Sequence, residues 1–440
     1  MKYLNILVLA VLVTFMSSCD NYFEGVNDNP NEPSEVTPDV ILPGATVTLG
    51  YGIQGDMSRY TSMLMQHCTG ISRQFATYQN YAITETETDN WWRFNMYAGA
   101  MMDLYVLNQQ AEADQYTQYA GVAKALLAYA LLITTDLYGD IPYTEAFQGA
   151  NNLTPTYDTQ EQVYSTVQDL LTTAKTQLAA ATAVIAPGSD DLIYGGDVAA
   201  WTRFCNFLSA RAYLHLGLRD AANYTNALNA IDAGAFTSAG DDAFYNWGAG
   251  ATESAPWFQY IQQRDDIAYT GFIYDLMSGN GDPRYTVYLD TANSTLGSFF
   301  ASATAPYYFG SYVEQKFIEA EAAFRTGDPG RAATAHNEAV MASLARYGVS
   351  DATFEMAEAS YDAASITLDA IMTQKYVAMF LDTEAFTDWR RTGIPALTAV
   401  PGNVTNGVIP VRMPYPQSER LFNGGNVSIV PITTPVWWDI

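Results

Sequence analysis

Apolar and small side chains return every three or four residues over most of this 440-residue chain, a period that confines it to packed helices. Met57, Tyr60 and Leu64 open the series, and Trp92, Met96, Ala100 and Leu104 continue it. Val122, Leu126, Tyr129, Ala130 and Ile133 carry it on, so that helices are expected from about Ile41 to Ala183. Within that stretch Val163, Val167, Leu170, Leu171, Ala174 and Leu178 form a buried stripe. Asp158, with Glu161 three residues on, predicts where that helix starts.

Taken in pairs, the helices repeat. Phe317, Ala320 and Phe324 lie on one face, the turn Gly327-Asp328-Pro329 follows, and Ala333, Asn337 and Val340 lie on the next. Small residues at fixed places let two helices approach closely, as in tetratricopeptide hairpins. Looser pairs run from Gly121 to Leu178, from Thr202 to Ala233 with Ala210, Leu214, Ala227 and Ile231 facing one another, and from Leu368 to Trp389. The expected fold is all-α, with hairpins near 120–180, 202–233, 313–346 and 366–390 forming a superhelical support. Composition changes from Gly240 to Gly310, where 16 residues are Phe, Trp or Tyr and helical periodicity fades. The region 240–310 is expected to be a loop-rich insertion that presents aromatic rings. A second irregular stretch runs from Pro401 to Ile440, broken by Pro410, Pro414, Pro416, Gly424 and Gly425.

The N-terminal region has the order of an export signal. Leu4 to Met16 is apolar except for Asn5 and Thr14, shorter than the about 20 residues a membrane helix needs, and Ser17-Ser18-Cys19 follows. We expect a signal peptide over 1–18, acylation of the Cys19 thiol and anchorage through that lipid; a plain signal cut near Ser18 is the alternative. Residues 19–43, with Pro30, Pro33, Pro38 and Pro43, are expected to be an extended tether, and 44–440 a single domain. Cys68 and Cys205 are then the only other cysteines. Export would permit a disulfide between them, but Cys205 reads as a small buried hydrophobe in a helix. A formal net charge of -27 repels nucleic acid and anionic headgroups, so membrane attachment must come from the lipid.

Catalytic signatures are few. His67, His215 and His336 have no metal-ligand spacing, and the chain has no nucleophile elbow, phosphate loop or dinucleotide fingerprint. Asp190-Asp191 and Asp241-Asp242 lack the spacing of a calcium loop. No metal or cofactor is expected. A glycosidase needs only two carboxylates, and 47 acidic residues could supply them, but the helical architecture weighs against it. Binding asks for less. A sugar ring has a C–H face and a hydroxyl rim, matched by an aromatic face beside amides and charges. Trp247, Trp257, Tyr260 and Tyr269, near Gln262, Gln263 and Arg264, form one candidate group; Tyr78, Gln79, Asn80, Tyr81 and Trp91 form a second. Packing in a core is the competing role for each of these rings, and it is the role expected for Trp92 and for Tyr307-Tyr308-Phe309.

Longer motifs bring these features together. The tether reads Gly25-Val-Asn-Asp-Asn-Pro-Asn-Glu-Pro33 and leads to Thr37-Pro38 and Leu42-Pro43. Inside the chain stand Asp136-Leu-Tyr-Gly-Asp-Ile-Pro-Tyr-Thr-Glu145, then Gln374-Lys375, Glu384-Ala-Phe and Asp388-Trp-Arg-Arg-Thr-Gly-Ile-Pro395, and finally Arg412-Met-Pro-Tyr-Pro-Gln-Ser-Glu-Arg420 with Asn423. From Cys19 to about Val427 the chain resembles the SusD-like (SusD/RagB) lipoproteins of the Bacteroidetes. The resemblance implies an outer-membrane, surface-anchored protein that binds a glycan and passes it to a SusC-like TonB-dependent transporter, and it implies no catalysis. Peptide binding for uptake is the alternative, a glycoside hydrolase a more distant one, and a scaffold that uses its hairpins to bind proteins a third. On the residues themselves, Gly139 and Pro142 should end a helix, and Arg390 and Arg391 should sit in a last helical turn, which makes both motifs structural.

Overall fold

The first helix of the structure, a computed structural model that describes residues 36–180 and 184–440, is α1, Pro38–Gly52. Cys19, the signal segment and the tether as far as residue 35 lie outside the described residues. The expected extended tether ends earlier than Pro43: Pro38 occupies the first turn, where its missing N–H costs nothing, and Pro43 is tolerated inside the helix. Its lost backbone bond is offset by the full burial of Leu42, Ala45 and Leu49 on one face. α1 runs through a π turn, Ile53–Met57, into a further helix, Ser58–Leu64.

α2, Met101–Ala113, packs between α1 and the long α3, Thr117–Tyr138. Every residue of α3 from Tyr119 to Tyr138 is buried, and the buried Lys124 is satisfied by Asn108 and Glu112 of α2, each at 2.5 Å. α3 pairs with α4, Gln160–Leu178. Contact at the start of this pair is so close that a Cβ on Gly121 would lie 2.8 Å from Leu178 Cγ and 3.1 Å from the Ala174 carbonyl. Gly121→Val is therefore expected to destabilise the fold by about 1–3 kcal/mol through overpacking, read as a lower urea midpoint. An unchanged midpoint would show that the two helices separate freely.

Asp158 does not cap α4. Thr159 does, accepting from the Gln162 backbone while Gln162 Oε1 accepts from the Thr159 N–H at 2.8 Å. Asp158 is drawn off to the preceding turn, where its carboxylate accepts from the Tyr143 and Thr144 backbones at 2.7 and 2.8 Å.

α5, Val198–His215, pairs with α6, Ala222–Asp232. After the insertion, α8, Tyr312–Arg325, pairs with α9, Pro329–Tyr347, and α10, Leu368–Ala378, with α11, Thr383–Thr392; α7, Pro256–Gln263, belongs to the insertion. The all-α, tetratricopeptide-like arrangement expected from the pairs is present. Asp328 caps α9 through the Arg331 N–H with Pro329 in its first turn, as the turn chemistry dictates. Residues 240–310 carry short helices and two two-stranded ladders, and a third ladder ties Ile267–Ala268 to Thr69–Gly70. The longest joins Ala243–Asn246 to Pro306–Gly310 with Phe244 opposite Tyr308.

The three motif regions meet in space. Arg390 Nη1 donates to the Asp136 carbonyl at 2.7 Å, the Met413 N–H to the Leu137 carbonyl at 2.8 Å, Arg412 to the Tyr138 carbonyl, and the Tyr415 hydroxyl to the Asp140 carbonyl at 2.6 Å. Gly139, at φ +91°, ends α3. Arg391 makes a two-pronged pair with Glu321 at 2.9 Å and also meets Asp388, which holds Lys375 at 2.7 Å. Arg390 and Arg391 thus join buried elements in the last turn of α11, a structural role. All three histidines are buried, His67 held well down at about 3 by burial alone. Cys68 and Cys205 are buried free thiols.

Candidate functional site

At the π turn the backbone departs from helical geometry at Gly55; Ile53 and Met57 stay buried while Asp56 and Arg59 reach the surface. α7 packs against this turn, and between them lies a cleft of about 230 Å³. Tyr51, Asp56, Arg59, Gln74, Phe75, Gln259, Tyr260, Gln263 and Arg264 line it. Its floor is fixed. Arg59 Nη2 donates to Asp56 at 2.5 Å and its guanidinium lies 4.9 Å from the Tyr260 ring centroid; Phe75 meets Tyr260 edge-on at 5.2 Å. Burial, then the nearby Asp266 carboxylate, pushes the Tyr260 hydroxyl far above the usual phenol range, so it stays neutral.

The rim is open. The Tyr51 ring is 43% exposed and is braced edge-on by Trp247 at 6.2 Å. Trp247 in turn donates through Nε1 to Gln54 at 2.6 Å. Arg264 is exposed; its Nη1 makes long contacts with Gln74 at 3.4 Å and with the buried Asp266 carboxylate at 3.5 Å, which leaves Nε and Nη2 for a ligand. One aromatic face ringed by two guanidiniums and three glutamine amides can take a polyhydroxylated ring.

Of the residues singled out from the sequence, Tyr260, Gln263 and Arg264 line this cleft and Trp247 braces it. The others lie elsewhere, and the expectation that the insertion displays its rings outward is corrected. Trp257 is 1% exposed, donates to Ser58 Oγ at 2.9 Å and walls a separate, narrow pocket of about 70 Å³ with Tyr307, Phe300 and Phe380. Tyr269 packs beside Trp257 in the core. The second group is also core: Trp91 is fully buried and stacked on Tyr138 at 5.6 Å, Tyr78 packs edge-on against Tyr60, and buried Tyr81 accepts from the Val400 N–H at 3.1 Å. Asn80 is exposed, but outside the cleft. These rings turn inward because the insertion has little regular structure and must supply its own core. Trp92 and Phe309 are core, as expected.

Tyr51, Asp56, Arg59 and Gln74 escaped the sequence reading because their stretch looks like an ordinary amphipathic helix. A signal was available in Gly50, Gly52 and Gly55, three helix-weakening residues inside one periodic segment.

With this geometry in hand, the chain can be compared with known proteins. Its sequence matches the SusD-like family model whose members are described as starch-binding and associating with the outer membrane, over residues 30–302 and 292–416. No curated protein matches. Among solved structures, a chitin-binding SusD homolog from Flavobacterium johnsoniae superposes with a TM-score of 0.76 at 23% identity, covering 91% of this chain and 98% of that one. A SusD/RagB family protein from Bacteroides thetaiotaomicron gives 0.75 at 20% identity, with 92% and 99% covered. A further chitin-binding protein gives 0.76 at 23%, with 92% and 100% covered.

Proposed function

Because the chain belongs to the SusD-like family, we propose that it is a surface lipoprotein, anchored through Cys19, that binds glycans and delivers them to a SusC-like TonB-dependent transporter. The observation that carries the glycan reading is the cleft between the π turn and α7. Tyr51 offers an exposed ring face there above a floor of Arg59 and Tyr260, and Arg264, Gln74, Gln259 and Gln263 offer donors and acceptors at the rim. Family description and the chitin-binding relatives support the same ligand class.

The cleft also argues for capture without cleavage. Glycoside hydrolysis takes two carboxyl groups placed on either side of the bond. A single carboxylate, Asp56, lines this cleft, and Arg59 already holds it. Such a site can bind a sugar chain and release it unchanged to a partner.

Malto- and chitohexaose, with a peptide pool beside them, test the reading by isothermal titration. We expect one of the sugars to bind, and Tyr51→Ala with Arg264→Ala to weaken it by about tenfold or more, the loss of about 1.4 kcal/mol of stacking and charge-assisted bonding. Thermal unfolding should hardly move, since both side chains are exposed. Binding confined to the peptide pool, or shortened sugars in the mixture, would overturn the proposal.

A further inference from the structure

The knot of motifs described above borders a second cleft, of about 190 Å³, far along the chain from the first in every residue that lines it. Tyr157, Tyr415 and Trp437 give it aromatic walls, and Asp140, Arg412 and Asn426 give it polar ones. None of these residues belongs to the first cleft.

Arg412 is its unusual member. The side chain is 7% exposed, yet among the described residues no carboxylate comes within ion-pair distance of it. Nη2 is spent on the Tyr138 carbonyl and the Tyr415 hydroxyl, the latter at 3.2 Å; Nε and Nη1 have no partner among the described residues. The remaining nitrogens of this largely buried guanidinium reach the open side of the cleft, where the oxygens of water or of a ligand can accept from them. The seat is made by Gly139, where a Cβ would lie 2.9 Å from Nη2.

Opposite charge lines the same cleft without neutralising Arg412. Asp140 is exposed, and one of its carboxylate oxygens accepts from the Gln160 N–H at 2.8 Å while the other carries no bond among the described residues. The walls are rigid. The Tyr157 hydroxyl donates to Glu419 at 2.7 Å, that of Tyr415 to the Asp140 carbonyl at 2.6 Å, and the two rings meet edge-on at 5.5 Å. Trp437 is partly exposed, its indole held by the Arg219 guanidinium at 5.0 Å.

We propose that this cleft is a second sugar site, taking one neutral ring whose adjacent hydroxyls bridge Arg412 and Asp140 while its C–H face lies on the aromatic wall. A separated donor cation and acceptor anion suit a vicinal diol, which both donates and accepts; an anionic sugar would meet Asp140. The proposal rests on the glycan reading of the chain and adds a second point of attachment. On a long polymer two sites raise the effective concentration of each other's ligand.

Equilibrium dialysis with maltotriose and triacetylchitotriose, each too short to serve as a polymer, tests it, with trigalacturonate as the charged control. The wild-type chain is expected to bind two equivalents of the preferred neutral sugar. Trp437→Ala and Asp140→Asn, which keeps the acceptor for Gln160, should each leave one equivalent, and so should Tyr51→Ala/Arg264→Ala. A single wild-type equivalent, lost in the Tyr51/Arg264 variant and untouched by Trp437→Ala, would overturn the second site and leave the first standing. Preference of the Trp437-dependent equivalent for trigalacturonate would overturn its neutral character. No binding of any sugar would overturn both readings together.

Discussion

Arg391→Met is expected to lower the free energy of unfolding by about 3–5 kcal/mol, enough to remove much of the stability of an ordinary domain. The reason lies in what is left behind. Arg391 is 1% exposed at its side chain, its partners Glu321 and Asp388 are 0% and 4% exposed, and methionine fills the volume without supplying charge. Arg391 holds the Glu321 carboxyl below the usual carboxylate range against the opposing effect of burial, so removal strands an anion in a dry interior. Lys375 compensates only in part, since it is already engaged with Asp388. Urea unfolding of the variant and of Arg391→Met/Glu321→Leu separates the causes. The double variant should recover part of the loss, because apolar replacement of both partners costs less than orphaning one. No recovery would mean that Arg391 acts through packing alone.

A second large effect should appear against pH. His215 sits between two acids, Nε2 at 2.8 Å from Glu384 and Nδ1 at 3.2 Å from Asp136, with the Tyr164 hydroxyl at 3.0 Å. Burial by itself would lower its pKa, but Glu384 and then Asp136 outweigh it and raise the imidazole to about 9 from 6.5. Glu384, correspondingly, is held far below the usual carboxylate range in spite of its burial, chiefly by His215 and Arg211. A group whose folded pKa is raised binds its proton more tightly when folded. Its stabilisation is therefore complete below about 6.5 and is lost as pH rises through 9, in all about 3 kcal/mol at about 1.36 kcal/mol per unit. Urea midpoints between pH 6 and pH 10 should fall by this amount in the wild type and stay flatter in His215→Gln. Parallel curves for the two proteins would sink the assignment.

These predictions also show what the sequence could and could not disclose. Helix period and turn chemistry placed the paired helices, because Phe317, Ala320 and Gly327-Asp328-Pro329 act within a few residues of one another. Arg390 and Arg391 were legible as structural for the same local reason. Charge networks were not legible: Asp136, His215 and Glu384 come from three separate helices, and only packing makes them neighbours. The binding cleft failed differently. Aromatic density drew attention to Trp257 and Trp91, yet a ring that buries a large apolar area goes first to the core. Exposure is what distinguishes Tyr51 from Trp257, and the aromatic density around Trp257 carried no sign of it. Tyr260 and Arg264 were found because a cation beside a ring on a short element marks a rim.

The closure of the pocket around His215 bears on how the chain is made. Trp438 Nε1 donates to Asp136 at 2.9 Å across 302 residues of sequence, and the Trp438 N–H donates to Gln160 Oε1 at 3.2 Å across 278. Until synthesis has reached Trp438 and that segment has returned to α3, the acids beside His215 remain wetted and their ionic order is worth little. A contact of this span is among the last to form, because the entropy of closing so long a loop must be met before the contact rewards it. The ionic order around His215 is therefore sealed from outside, by a distant indole that returns to α3.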